Sequence, residues 1–235
     1  MPTEKEVYEA YADQYERLIQ REDYQGNILS AIESYCPLNG IDVVELGAGT
    51  GRLTRLLAPD VRSIKAFDIS THMLEVAEKS LREMGLSNWE TDVADHRQIP
   101  IESQSADLVI AGWSFCYLAV WGGKKWQSAL EDGLREIERI IRLGGMIILI
   151  ETLGTGTEKH RPPAHLEAYF DWLTAAGFER GWTRTDYRFK SLDEAVELST
   201  FFFGKEMGQK VREESWQILP ECTGVWWKRV QSGHV

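Results

Sequence analysis

The chain has 235 residues in ordinary globular proportions, with a net charge of −11 and nine tryptophans. That length suits one large α/β domain, which buries enough apolar surface to need no disulfide or metal staple. The acidic balance argues against nucleic acid as a partner, because neutralising phosphates calls for clustered Lys and Arg.

Cys36, Cys116 and Cys222 are scattered and odd in number, which gives neither a disulfide framework nor a zinc pattern and points to a reducing compartment. The acidic start MPTEKEVYEA does not read as a signal peptide, and no apolar stretch reaches the ~18 residues of a membrane span, so a cytoplasmic protein is expected.

Residues 5–20 place Tyr8, Tyr11, Tyr15 and Leu18 on one helical face, and a second helix is expected around 24–36, stopping near Pro37. Asp42 to Leu46 is a short apolar run ending in glycines, as in a buried parallel strand. A helix over Thr50–Ala58, a strand over Ser63–Phe67 and a helix over Thr71–Met84 follow, the last with Leu74, Ala77, Leu81 and Met84 inward. Strands are expected over Asn88–Val93 and Asp107–Ala111, and a helix over 128–142 burying Leu134, Ile137 and Ile141. Gly144-Gly145 then lead into the strand Met146–Ile150. This alternation predicts a parallel sheet covered on both faces.

The last third differs. A helix over 164–176 turns Leu166, Tyr169, Phe170 and Leu173 inward, and a strand covers 180–188. Ser191 and Glu194 read as a capping box for a helix running to Phe203, ended by Gly204, and a final strand spans 223–230. Two late strands around an inserted helix predict an antiparallel edge.

The chemistry begins at Glu45-Leu46-Gly47-Ala48-Gly49-Thr50-Gly51, a strand running into three glycines and a helix. The glycines let a ligand approach the backbone beside a helix N-terminus. A dinucleotide loop of the GxGxxG type would need glycine where Arg52 stands, so the spacing is GxGxG with an acid before it. A tight turn with no ligand is the other reading. The next strand ends in Asp68, at the edge where open parallel sheets bind ligands, and its carboxylate can accept both ribose hydroxyls. Asp68 could equally cap the helix starting near Thr71.

With these residues the sequence resembles the class I S-adenosylmethionine-dependent methyltransferases, particularly the small-molecule branch that includes the ubiquinone/menaquinone-type enzymes. The resemblance covers residues 40–151, and more loosely the helix at 5–20. Glu45 to Gly51 matches the first motif, Asp68 the ribose-binding acid, and Val93 to Pro100 the segment whose Asp95 and His96 backbone are implied to face the adenine. Ala106 to Ala111 resembles the strand ending beneath the methionine part of the cofactor, and Leu134 to Gly145 the helix and turn before the fifth strand, with Leu143 where a Pro is common. The resemblance implies S-adenosylmethionine as cofactor, with Gly47, Ala48, Gly49, Gly51, Ile69, Met73 and Ala111 lining it. It also implies a helical lid bringing Tyr11 and Tyr15.

Gly112 to Trp121 lies where the family places the active-site floor, which makes Trp113 and Tyr117 the substrate-side candidates. The Asn/Asp-Pro-Pro-Tyr box of amino-methylating branches is absent. Glu151, His160 and His165 follow the fifth strand and, with Tyr117, are the candidate catalytic groups. No metal-ligand spacing is present. Phe201 to Phe203, Trp172, Trp182, Trp226 and Trp227 would suit an apolar acceptor if any face the pocket.

The expectation is a Rossmann-like α/β fold: a seven-stranded, mostly parallel sheet with an antiparallel edge, helices on both faces and an N-terminal helical lid. It divides into a lid (1–39), a cofactor-binding core (40–151) and a substrate-side part with a helical insertion (152–235). The expected activity is methyl transfer to an O, N, S or C atom of a small, partly apolar acceptor. The alternatives are a protein or RNA methyltransferase and a non-catalytic S-adenosylmethionine-binding module.

Overall fold

The computed structural model describes Glu6, Val7 and residues 10–231; Tyr8 lies outside the described residues. Five strands run parallel in the core: β1 (Asp42–Leu46), β2 (Ser63–Asp68), β3 (Trp89–Val93), β4 (Ala106–Gly112) and β5 (Ile141–Thr155). Late in the chain come β6 (Glu179–Arg184), β7 (Tyr187–Arg188), β8 (Ile218–Leu219) and β9 (Glu221–Arg229). The main sheet has seven strands in the order β3-β2-β1-β4-β5-β9-β6. The antiparallel character is carried by β9, which lies one place in from the edge and pairs with both β5 and β6.

Side chains alternate across this sheet and build two cores. Val44 and Leu46, Val109 and Ala111, and Ile147 and Leu149 face one side. There they meet α6 (Trp126–Ile140) and α7 (Glu167–Ala175) through Ile137, Ile140, Tyr169, Phe170 and Leu173. Val43, Leu108, Ile110, Ile148 and Ile150 face the other side. They pack on α2 (Asn27–Tyr35) and α3 (Arg52–Leu57) through Ile28, Ile32, Leu53 and Leu57. Burial on both faces is why these strands read as unbroken apolar runs.

Several boundaries differ from expectation for local reasons. The first helix is interrupted at Tyr11 (φ −128°, ψ 33°), and α1 spans Ala12–Ile19. Helix α2 begins only at Asn27, where the Asp23 carboxylate accepts the N–H groups of Asn27 (2.8 Å) and Ile28 (3.0 Å). On α4 (Thr71–Glu83), Leu74, Ala77 and Leu81 are buried, but Met84 is 44% exposed because the helix has already ended. Leu134 is half-buried rather than core.

The expected strand over 180–188 breaks at Thr185-Asp186. Its second part, β7, leaves the main sheet and pairs with β8. The Ser191 hydroxyl accepts the Glu194 N–H at the start of α8 (Leu192–Phe203), while the Glu194 carboxylate reaches the N–H of Lys190 rather than that of Ser191. A further helix, α9 (Lys205–Glu213), has no counterpart among the expected elements. Its polar sequence hides it, and its contact with α8 depends on Gly208, where any Cβ would strike the Thr200 side chain. Among the described residues no helix is long and apolar enough to cross a membrane.

Candidate active site

The order of the main sheet reverses between β1 and β4, and open α/β sheets bind ligands outside the strand ends at such a point. A cavity of about 400 Å³ lies there. The loop after β1 is tied to the end of β2, because the N–H groups of Gly47 (2.7 Å) and Ala48 (2.9 Å) both reach the Phe67 carbonyl. Gly47 has φ +69°, and a Cβ there would collide with Ser114, whose hydroxyl donates to the Leu46 carbonyl at 2.8 Å. Glycine at this position therefore lets the β4 floor close against the loop.

The carboxylate of Asp68 accepts the N–H of Gly49 (2.8 Å) and that of Ser70 (2.8 Å). It does not cap α4, since the cap is the Ser70 hydroxyl, which accepts the Met73 N–H. Burial raises the Asp68 pKa, and burial lifts Glu45 to about 8 against the opposing hydrogen bond from Thr54. Asp95 is held by Arg97 through two 2.7 Å contacts, which lower its pKa. The His96 ring turns inward, edge-on to Phe115, with Nδ1 buried and unpartnered among the described residues; burial lowers its pKa to about 4. The floor carries Trp113 at φ +51°, a left-handed conformation that is strained for a bulky residue. It also carries Tyr117, the first residue of the short helix α5 (Tyr117–Val120), stacked on Trp121 with centroids 4.3 Å apart.

Comparison with known proteins agrees with this geometry. Residues 44–149 match a family described as "Methyltransferase domain". An uncharacterised methyltransferase of Schizosaccharomyces pombe is 32% identical over 132 residues, covering 55% of this chain and 47% of that protein. The chain thus spans about half the length of that relative. A demethylmenaquinone methyltransferase of Thermotoga maritima is 24% identical over 217 residues, covering 87% of this chain and 86% of that one. The structure of an S-adenosylmethionine-dependent methyltransferase from Aquifex aeolicus aligns with a TM-score of 0.56 over 86% of this chain and 88% of that one, at 18% identity, a likeness of fold. Residues 44–149 thus carry a methyltransferase domain.

The cofactor of this methyltransferase domain is S-adenosylmethionine, and the cavity's chemistry fits it. Glu45 and Asp68 line the cavity without an ion-pair partner among the described residues, whereas Arg52 is paired with Glu22 and Arg97 with Asp95. With Glu45 held largely protonated by its burial, Asp68 supplies the surplus negative charge, which suits a sulfonium ligand and would be joined by Glu45 when a cation draws off its proton.

Of the residues anticipated for the methyltransferase cofactor, the structure brings Tyr15, Glu45, Gly47, Ala48, Gly49, Asp68, Ile69, Met73, Asp95 and His96 to the cavity wall, with Trp113 and Tyr117 beside them. Three others lie off the wall. Gly51 packs against Ala77, Ala111 is enclosed in the sheet core, and Tyr11 is 42% exposed, edge-on to Phe201.

Three of the four catalytic candidates also lie elsewhere. Glu151 is sealed in the core, accepting the Cys116 N–H (3.0 Å) and the Tyr169 hydroxyl (3.1 Å), and burial raises its pKa to about 7. It braces the floor from beneath. His160 is exposed, edge-on to Trp182, and His165 is exposed in a turn. Tyr117 alone of the four faces the cavity.

The late aromatics are structural rather than pocket-lining. Trp226 stacks on Phe170 (4.5 Å), Trp227 stacks on Tyr35 (3.8 Å), and Phe202 supports Tyr15 (5.6 Å). Trp172 packs at the rim of the same core as Trp226. Sequence reasoning missed Arg52, Arg97, Leu118 and Trp121 as wall residues. For Leu118 and Trp121 the signal was present, because both lie within the nominated floor. Arg52 was noted only as a missing glycine.

Proposed function

We propose that this chain transfers the methyl group of S-adenosylmethionine to an O, N, S or C atom of a small, partly apolar acceptor, with residues 1–39 as lid, 40–151 as cofactor core and 152–235 as substrate-side part. The observation that carries this reading is one cavity joining the acidic strand ends, Glu45 and Asp68, to the aromatic floor of Trp113, Tyr117 and Trp121.

The cofactor supplies a methyl group already activated on a sulfonium. Asp68 accepts the ribose hydroxyls, held in place by the Gly49 and Ser70 N–H groups. Asp68 offsets positive charge, and Glu45 adds to it once a cationic ligand draws off the proton that burial otherwise keeps on it. Ile69 and His96 flank the base. Trp113 and Tyr117 present flat apolar surface to the acceptor and exclude water. Catalysis on this reading is chiefly positioning in a dry pocket, and a base is needed only where the attacking atom must lose a proton.

Calorimetric titration with S-adenosylmethionine and its demethylated product, with NAD as control, tests the cofactor half. Micromolar binding of both sulfur nucleosides and silence from NAD is expected. A labelled-methyl transfer assay over amines, phenols, thiols and carbon acids then tests the acceptor half. Tight cofactor binding with no transfer to any acceptor would favour the non-catalytic binding module instead.

A further inference from the structure

Arg52 opens α3, one residue past the GxGxG loop, and its side chain lines the cavity although only 16% of it is exposed. The guanidinium is half used. Nη1 donates to the Glu22 carboxylate at 2.6 Å, and the guanidinium carbon stands 3.9 Å from the centroid of the Trp113 ring. Nη2 is shut away from solvent and has no acceptor among the described residues. Leaving buried N–H groups unmade costs on the order of 1–3 kcal/mol, so a site that keeps such a group is built to meet an acceptor.

The other cation on the cavity wall is differently placed. Arg97 turns both Nε and Nη2 onto Asp95 in a closed two-point pair. Arg52 therefore retains free donor capacity, while Glu22 is itself fastened by the Thr185 hydroxyl at 3.2 Å. A planar guanidinium edge matches a carboxylate better than any neutral acceptor.

We propose that Arg52 is the carboxylate anchor of this cavity, its guanidinium rotating so that the Nη2 edge, closed off in the ligand-free protein, takes the carboxylate of a bound ligand. The proposal rests on the cofactor reading given above. Two ligands could bring such a group: the amino-acid end of the cofactor, or an acidic acceptor.

Arg52→Met and Arg52→Lys test this by calorimetry with S-adenosylhomocysteine and with 5′-methylthioadenosine, which keeps the nucleoside and thioether but lacks the amino-acid end. If the cofactor is the source, Arg52→Met weakens S-adenosylhomocysteine binding about 10- to 100-fold, as expected for a lost charge-assisted pair. Methylthioadenosine affinity stays at the wild-type level, and Arg52→Lys recovers part of the loss. Methylthioadenosine binding also reports that each variant is folded. Glu22→Gln/Arg52→Met repeats the test without an orphaned Glu22 charge.

If S-adenosylhomocysteine affinity is unchanged, benzoate is titrated into protein saturated with S-adenosylhomocysteine. Benzoate binding that is lost in Arg52→Met assigns the anchor to the acceptor. Benzoate that fails to bind, or binds regardless of Arg52, overturns the proposal, as does an equal loss of both nucleosides in Arg52→Met. A wild-type protein that binds neither nucleoside would instead overturn the cofactor reading, and the anchor with it.

Discussion

The loops at the ends of β1 and β2 and the α8–α9 hairpin are held together by different means. In the loops, single polar atoms carry the geometry: one carboxylate takes two N–H groups, one carbonyl takes two more, and one serine hydroxyl ties the floor to the strand. In the hairpin region, volume and apolarity do the work, through Leu198, Val211, Leu219, Tyr187 and Phe189 packed together. Few residue types can replace an atom-by-atom arrangement, whereas many sequences can fill a volume. Point changes should therefore cost binding in the first region and stability in the second.

The largest expected effect lies in the main sheet core, which like the hairpin is held by volume and apolarity. Trp226 is fully buried against Phe170 on the sheet. Trp226→Ala should lower unfolding free energy by about 3–5 kcal/mol, as for other large-to-small aromatic changes in cores. Urea unfolding measures this, and the fraction still folded should bind S-adenosylhomocysteine normally. A stable variant with weakened binding would break the division.

Asp68→Ala is the reverse case. It removes the proposed ribose acceptor and releases the Gly49 and Ser70 N–H groups. Affinity for S-adenosylhomocysteine should fall by about 100-fold or more, roughly 3 kcal/mol at 1.4 kcal/mol per decade. The melting temperature should move far less than in Trp226→Ala. Unchanged affinity would remove Asp68 from the site.

This contrast also explains what was legible beforehand. Glu45, the glycines and Asp68 stand at strand ends, where the chain must turn and one residue type is needed, so identity and spacing announced them. The central strands β4 and β5 were legible because burial on both faces leaves long apolar runs in them. Helix α9 was not, because its sequence is mostly polar and its place depends on Gly208 fitting against Thr200, a long-range match without local trace. Glu151 was misread for a related reason. Its position at the active edge was visible, but its turn toward Tyr169 and Cys116 depends on the docking of α7, a long-range contact without local trace. Arg52 was passed over because the dinucleotide pattern asks only whether that position is glycine.

Ionisation separates the regions less sharply. Glu45 and Glu221 are raised by burial to about 8, and Glu151 to about 7. A carboxyl with a higher pKa folded than unfolded binds more protons in the folded state, so its stabilisation is complete below the unfolded value near 4.3 and is lost as pH rises through the folded one. Ligand-free protein should accordingly become less stable between pH 5 and 8. Glu151→Gln can still accept the Cys116 N–H and the Tyr169 hydroxyl but cannot ionise. It should flatten the part of that slope below pH 7, worth on the order of 2–3 kcal/mol. An unaltered thermal-melting profile across pH would show that Glu151 does not titrate in this range.

The smallest effect tests whether the two regions communicate. Phe202 on α8 lies against Tyr15, which reaches the cavity from α1, so the hairpin touches the site through one aromatic contact. Phe202→Leu keeps most of the apolar volume and should cost less than about 1.5 kcal/mol of stability. It replaces the flat support of the Tyr15 ring with a branched one, and a two- to threefold loss of S-adenosylhomocysteine affinity is expected, about half a kcal/mol at most. Calorimetry on Phe202→Leu, Tyr15→Leu and the double variant makes a cycle. If the two changes are less than additive in binding, the hairpin acts on the cofactor through Tyr15. If they add, α8 supports the fold without touching the chemistry, and the division between a region read by atoms and one read by volume is complete.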